Sequence, residues 1–181
     1  MGIYVDATTI IALGELGELR LLLAFDGRLS IPPSVSEEVT TEPALNNLSS
    51  LFSRGGVSTG KPVRRHHEEE NARDNALGLL DEPEQNGDVD VIGGVILHVN
   101  RNEEVAVVSD DRRVRTVARG LGATVTGTIG VVVRNVADGE LTADEAKALI
   151  RRIDSHGLHM TGELRERADE LIDEATEETE E

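Results

Sequence analysis

Acidic residues recur in this sequence directly after short aliphatic segments, where they could act together as ligands. The four places are Asp6, Glu37 with Glu38, Asp88 with Asp90, and Asp110 with Asp111. A single carboxylate at a helix start contributes about 0.3–1 kcal/mol to helix stability, so each acid alone has a structural explanation. Several carboxylates at one place repel each other unless protons or a cation neutralise them. Because the sequence has no cysteine, its hard oxygen ligands favour Mg²⁺ or Mn²⁺ over zinc, and these ions can activate water for hydrolysis of a phosphodiester.

Short aliphatic runs alternate with helical patterns along most of the chain. The runs predict strands at residues 3–5, 29–31, 105–108 and 123–126. Helical spacing predicts one helix from Thr8 to Leu23, another that begins with Ser34 or Ser36, and another that begins at Asp88. This alternation predicts a parallel sheet covered by helices on both faces. Since ligands of such sheets bind beyond the carboxyl ends of the strands, we expect the acids there, with Glu37 and Glu38 opening their helix.

The C-terminal part is predicted to be helical, whereas one internal stretch is harder to assign. Glycine and proline between Asn46 and Glu70 indicate a loop. Thr142 and Glu145 have the spacing of a capping box at a helix start, and Thr161 is expected to cap a last helix. We therefore divide the chain into a domain at 1–139, a helical extension at 140–175 and an acidic tail at 176–181.

The composition is strongly acidic, and Lys61 and Lys147 are the only lysines. Lys and Arg number 18 against 35 Asp and Glu, for a net charge of −17. This charge argues against a nucleic-acid binder with a general basic face. It is typical of proteins that work in molar salt, where the Debye length is only about 3 Å. No apolar stretch approaches the roughly 20 residues of a membrane span, and Met1 leads directly into a strand-like segment, so we expect a soluble, cytoplasmic, halophilic protein.

Four segments resemble motifs of the PIN-domain nucleases, and the resemblance extends over most of the chain. They are residues 6–13 (DATTIIAL), 31–39 (IPPSVSEEV), 109–115 (SDDRRVR) and 122–130 (GATVTGTIG). The likeness is greatest to the prokaryotic branch of predicted nucleic acid-binding proteins that is related to the VapC toxins. It implies a three-layer α/β/α fold with a central, mainly parallel sheet and a C-terminal helical extension.

The resemblance also implies a catalytic role for individual acids. Asp6 matches the family's first acid, Glu38 the second and Asp111 the last. Asp88 and Asp90 both fit the third position, and the resemblance does not choose between them. Together these acids would hold Mg²⁺ or Mn²⁺, and Asp110 is a further candidate ligand beside them.

Neighbouring residues receive supporting roles from the same resemblance. Thr8 and Ser109 would orient the acids through their hydroxyl groups. Three arginines after the last acid would contact backbone phosphate, namely Arg112, Arg113 and Arg115. Gly93 and Gly94 depart from the family's Ala or Leu, and a glycine inside a helix costs up to about 1 kcal/mol.

The activity implied by the resemblance is that of a metal-dependent endoribonuclease. It would hydrolyse single-stranded or structured RNA to leave a 5′-phosphate and a 3′-hydroxyl. The protein could be the toxin of a toxin–antitoxin pair, with an antitoxin protein as partner. The apolar surface of the helix predicted from Thr8 to Leu23 favours a homodimer.

Two other classes of function compete with the nuclease. One is a non-catalytic module of the same fold that binds nucleic acid or another protein, and this alternative stays open. The other is a phosphatase of the haloacid type, which requires Asp-x-Asp at the first strand. Because Asp6 is followed by Ala7 and Thr8, the sequence disfavours the phosphatase.

Overall fold

The computed structural model describes residues 1–55, 57–58, 66–156, 158 and 160–180. Within these residues the chain forms five strands, which are β1 (Gly2–Val5), β2 (Arg28–Ser30), β3 (Val57–Ser58), β4 (Val105–Val108) and β5 (Thr124–Thr126). The same residues form nine α-helices, which are α1 (Ala7–Glu15), α2 (Pro33–Glu38), α3 (Ala44–Ser53), α4 (His66–Leu80), α5 (Gly87–Asn100), α6 (Arg112–Gly120), α7 (Thr128–Ala137), α8 (Ala143–Ser155) and α9 (Gly162–Glu180). A 3₁₀ helix covers Leu19–Ala24.

The strands form one parallel sheet in the order β3-β2-β1-β4-β5. In the central strand β1, Tyr4 is in register with Ser30 of β2 and with Val107 of β4. Every residue of β1 and β4 is buried, as expected for strands covered on both faces. Because β1 and β4 are parallel neighbours, the residues that follow them, Asp6 and Ser109, lie side by side at the carboxyl edge.

Two groups of helices cover the sheet and produce the three-layer α/β/α arrangement. In one group, α5 contacts β1 and β4 and packs against α4 and α6. In the other, α1, α3 and α7 pack with the 3₁₀ helix, and α8 and α9 lie against α7. The predicted fold class, with its parallel sheet and its C-terminal helices, is confirmed.

The two glycines inside α5 differ in what surrounds them. A Cβ on Gly94 would lie 2.3 Å from Cζ of Tyr4, so this glycine lets α5 lie close to β1. A Cβ on Gly93 would meet nothing closer than 3.9 Å. α5 remains helical through both positions, so the departure from the family's residues does not break the helix.

The prediction of one helix from Thr8 to Leu23 is wrong. α1 ends at Glu15, and Gly17 follows with φ +76°. This left-handed conformation is a common way to end a helix, and glycine adopts it without steric cost. The chain then continues as the separate 3₁₀ helix, which apolar periodicity alone does not distinguish from a continuation of α1.

The expectation that Glu37 and Glu38 open the next helix is also wrong. Glu37 and Glu38 lie in the last turn of α2 rather than opening it, because the helix begins at Pro33. Proline is favoured in the first turn of a helix because its φ is already helical there. The stretch from Asn46 to Glu70, which is hard to assign from the sequence, contains most of α3, all of β3 and the start of α4. Most of the loop indicated by its glycines and proline lies outside the described residues.

The predicted helix starts in the C-terminal part are confirmed. The Glu145 amide donates to Thr142 Oγ1 at 3.3 Å, and the Thr142 amide donates to Glu145 Oε2 at 2.9 Å, which completes the capping box. The Leu164 amide donates to Thr161 Oγ1 at 3.2 Å at the start of α9. α9 runs to Glu180, so the part of the expected tail up to that residue is helical. No helix in the described ranges is long and apolar enough to cross a membrane.

Candidate active site at the carboxyl edge of the sheet

Asp6 follows β1 directly and caps the N-terminus of α1. Only 2% of the residue is exposed. Its carboxylate accepts the Thr9 amide at 2.9 Å, the Thr8 hydroxyl at 2.9 Å to each oxygen, and the Ser109 hydroxyl. Burial raises the pKa of Asp6 above its ordinary value, and the donors from Ser109, Thr9 and Thr8 partly oppose that rise.

Ser109 connects Asp6 to the acid that follows β4. The Ser109 hydroxyl donates to Asp6, and its oxygen accepts the Asp111 amide at 3.1 Å. Asp111 in turn caps α6, because its Oδ1 accepts the Val114 amide at 2.9 Å. Thr8 and Ser109, the two residues for which supporting roles are expected, thus both donate to Asp6.

Asp110 points to a different place from its neighbour Asp111. Its carboxylate accepts the amide of Thr128 at 3.0 Å and the hydroxyl of the same residue. The N-cap position of α7 is Gly127, which has no side chain to cap the helix, and a Cβ there would lie 2.4 Å from Asp110 Oδ1. Asp110 thus caps α7 although it lies 18 positions before Thr128 in the chain. Its place after β4 in the sequence does not indicate this role.

Glu38 reaches the site from the end of α2. Its Oε1 accepts the Gly87 amide at 2.7 Å, at the first residue of α5. A Cβ on Gly87 would lie 2.6 Å from the same oxygen. The close approach therefore depends on glycine at this position, and it places Glu38 one residue away from Asp88.

Asp88 and Asp90, both in the first turn of α5, have different surroundings. Asp90 accepts the Ser34 hydroxyl at 2.5 Å and the Gln85 side-chain amide at 2.7 Å, and so joins α5 to α2. Asp88 is half-buried. Burial raises its pKa, the hydrogen bond from Arg113 opposes the rise, and the charges of Asp111 and Asp6 raise it further. Asp88 therefore lies within electrostatic reach of both Asp6 and Asp111.

Arg113 is held by groups of the α4–α5 connection. Its guanidinium lies 2.5 Å from Glu82 and 3.2 Å from Asp88, and it donates to the Leu80 carbonyl at 3.1 Å. Arg112 is exposed, and the guanidinium of Arg115 lies beside Gly127. The three arginines expected to contact phosphate thus differ in their surroundings, and Arg113 already forms ion pairs with acidic residues. Glu82 is a member of this cluster that no sequence motif indicated.

The chemistry of the donor set fits a hard divalent cation. The candidate ligands are carboxylate oxygens alone. Their negative charges repel one another, since the charges of Asp6 and Asp111 raise the pKa of Asp88. In the described part of the chain, however, no three His, Asp or Glu side chains are close enough to hold a metal ion. Cation binding would therefore require some of these side chains to turn from their present partners.

The parallel sheet and its acidic carboxyl edge define an α/β protein with a carboxylate site. A family model described as DUF3368, a PIN domain, matches residues 3–174, and the chain belongs to the PIN-domain family. No curated protein and no solved structure matched the chain. The family predicted from the motifs is confirmed, and the VapC-related branch is compatible with the match but stays a prediction. PIN domains are in general nucleases that bind nucleic acid and use divalent metals.

Proposed function

We propose that this protein is a metal-dependent endoribonuclease whose site lies at the carboxyl edge of the sheet. One observation carries the proposal. Asp88 of α5 lies within electrostatic reach of both Asp6 and Asp111, which follow β1 and β4. Acids from three separate elements are thus gathered at one edge, although their repulsion destabilises the folded chain. Such an arrangement is explained by a cation that offsets the repulsion.

Each acid has a distinct part in the proposal. Asp6, Glu38, Asp88 and Asp111 would hold Mg²⁺ or Mn²⁺, directly or through water. A bound divalent cation supplies an activated water and neutralises charge on the phosphodiester. Asp90 and Asp110 were also candidate ligands, and their contacts with Ser34 and Thr128 favour a scaffolding role for both.

The hydroxyl groups and the arginines complete the proposed site. Ser109 and Thr8 hold Asp6 in a fixed orientation through the contacts described above. Arg112 and Arg115 are the stronger candidates for contacts with RNA phosphate, because Arg113 already has acidic partners. Since few cations face the substrate in a chain of net charge −17, we expect RNA binding to depend only weakly on added salt.

The decisive experiment measures cleavage of single-stranded and hairpin RNA by the purified protein at high KCl. Cleavage that requires Mg²⁺ or Mn²⁺, and that Asp6→Asn and Asp88→Asn abolish, would support the proposal. Asp144→Asn, a change at an exposed acid in the first turn of α8, serves as the control and should leave the rate unchanged. RNA binding without cleavage in either cation would contradict the nuclease and favour the non-catalytic module.

The partner proposals extend this function. Exposed apolar side chains on neighbouring elements, Leu23 of the 3₁₀ helix at 46% and Leu45 of α3 at 40%, support a homodimer. Light scattering at high KCl tests it, and a monomeric mass would contradict it. A role as the toxin of a toxin–antitoxin pair rests on the resemblance to the VapC-related branch. Growth arrest on expression, relieved by Asp6→Asn, would support that role.

A further inference from the structure

The buried hydroxyl group of Thr9 has no hydrogen-bond partner in the part of the chain that the structure describes. The residue is 0% exposed, and its Oγ1 meets no partner among the described residues. Its backbone amide, in contrast, donates to Asp6 Oδ1 at 2.9 Å. A hydroxyl that loses its bonds with water and gains none destabilises the folded chain. Because this unpaired group lies directly beside an acid of the proposed site, a role in that site explains it better than a role in stability.

The Asp6 carboxylate is held by donors of two kinds. Ser109 and the Thr9 amide are buried donors. Thr8 is an exposed residue, and its hydroxyl contacts both carboxylate oxygens. A carboxylate offers about four lone-pair positions, so a cation that takes Asp6 as a ligand displaces one of the present donors. Thr8 can leave at the least cost, because its hydroxyl can turn to water.

We propose that Thr9 is a positioning residue whose hydroxyl donates to Asp6 when Asp6 binds a divalent cation and Thr8 turns away. This inference rests on the proposed cation site. The exchange keeps Asp6 anchored from the protein side and leaves lone pairs on the exposed side for the cation. The Thr9 amide already donates to Asp6 Oδ1 at 2.9 Å, so the unpaired hydroxyl belongs to a residue that already contacts this carboxylate. Thr9 touches neither the cation nor the RNA.

The test compares Mn²⁺ affinity and melting temperature of full-length variants at high KCl. Electron paramagnetic resonance of free Mn²⁺ reports binding without any need for catalysis. Thr9→Val, which removes the hydroxyl, should bind Mn²⁺ about tenfold more weakly than the unchanged protein. Without divalent cations it should melt at the same or a higher temperature, because it loses an unpaired buried group. Thr9→Ser retains the hydroxyl and should keep Mn²⁺ affinity within about twofold.

A matched control uses Thr176 in α9, whose hydroxyl does have a partner, the Ile172 carbonyl at 2.9 Å. Thr176→Val should lower the melting temperature and leave Mn²⁺ affinity unchanged.

Three results would overturn the role of Thr9 and leave the cation site intact. They are unchanged Mn²⁺ affinity in Thr9→Val, a lower melting temperature of that variant without cations, or a larger loss of affinity in Thr8→Val. If the unchanged protein binds no Mn²⁺, or if Asp6→Asn binds it equally well, both the cation site and the Thr9 inference are wrong.

Discussion

Ser109, the residue after β4, donates its hydroxyl proton to Asp6, the residue after β1. The two residues are separated by 103 positions in the chain, and the parallel pairing of β1 with β4 brings them together. Because the Ser109 oxygen also accepts the Asp111 amide, one buried hydroxyl couples the orientation of two acids. Loss of this hydroxyl would therefore disturb the surroundings of two acids and not of one alone.

Asp6→Asn is expected to stabilise the cation-free protein at neutral pH. Burial raises the folded-state pKa of Asp6 above its unfolded value, so the folded chain favours the protonated acid. The corresponding stability is fully present below the unfolded pKa and is lost as pH rises through the folded pKa. At pH 7 we expect Asp6→Asn to melt roughly 2–4 °C higher, the shift that about 1 kcal/mol produces in a protein of this size.

The pH series supplies the check on that expectation. The difference in melting temperature between Asp6→Asn and the unchanged protein should shrink as the pH falls towards about 4. Asp144→Asn, measured in parallel, should show no such convergence. A gap that stays constant with pH would mean that the Asp6 charge is not the source of the destabilisation.

Gly87→Ala is expected to impair the site through Glu38. The added Cβ would lie 2.6 Å from Glu38 Oε1 and 3.1 Å from Val35 Cγ2, so Glu38 must move from the α5 N-terminus. We expect RNA cleavage to fall about tenfold, as for loss of a group that supports a metal ligand. Gly78→Ala in α4, where a Cβ meets nothing within 4 Å, should keep full activity and gain about 0.5–1 kcal/mol. Full activity of Gly87→Ala would remove Glu38 from the proposed site.

The adjacent glycines of α5 provide a matched pair for stability. Gly94→Ala forces a Cβ into the ring of Tyr4. This ring has little room to move, because Tyr4 is only 5% exposed and its ring packs edge-on against His98. Overpacking of this kind costs about 1–3 kcal/mol, and thermal melting should show a drop. Gly93→Ala should instead be neutral or stabilising, since helix propensity favours alanine. Equal effects of both changes would contradict the close approach of α5 to β1.

Substitutions of Arg112 and of Arg113 should have different consequences, the first for RNA binding and the second for stability. Arg113→Gln removes the ion pairs with Glu82 and Asp88, so we expect its main effect to be a melting temperature lower by roughly 2–4 °C. Arg112→Gln should leave stability unchanged, weaken RNA binding and reduce the salt slope of binding by about 1. RNA titrations at several KCl concentrations test both variants. A larger loss of RNA affinity in Arg113→Gln would show that Arg113 leaves its acidic partners to contact phosphate.

Much of the fold could be predicted from local patterns, and the errors have local causes. The buried strands β1 and β4 follow from aliphatic runs, and the capping box at Thr142 follows from two residues three positions apart. The end of α1 is not evident from the sequence, because the apolar periodicity continues past Gly17. The start of α2 is ambiguous in the sequence, because Ser34 and Ser36 are plausible caps whereas the helix begins at Pro33.

The sequence by itself determined the family, the parallel α/β architecture and the set of acids that follow the strands. Only the tertiary structure decided where each acid points. Asp110 turns to Thr128, 18 positions away, and Asp90 to Ser34, 56 positions away, whereas Asp6 meets Ser109. Periodicity and capping motifs reflect contacts within a few residues, but a carboxylate takes its direction from whichever donors the folded chain brings near it. That is why the neighbouring residues Asp110 and Asp111 cap different helices, α7 and α6.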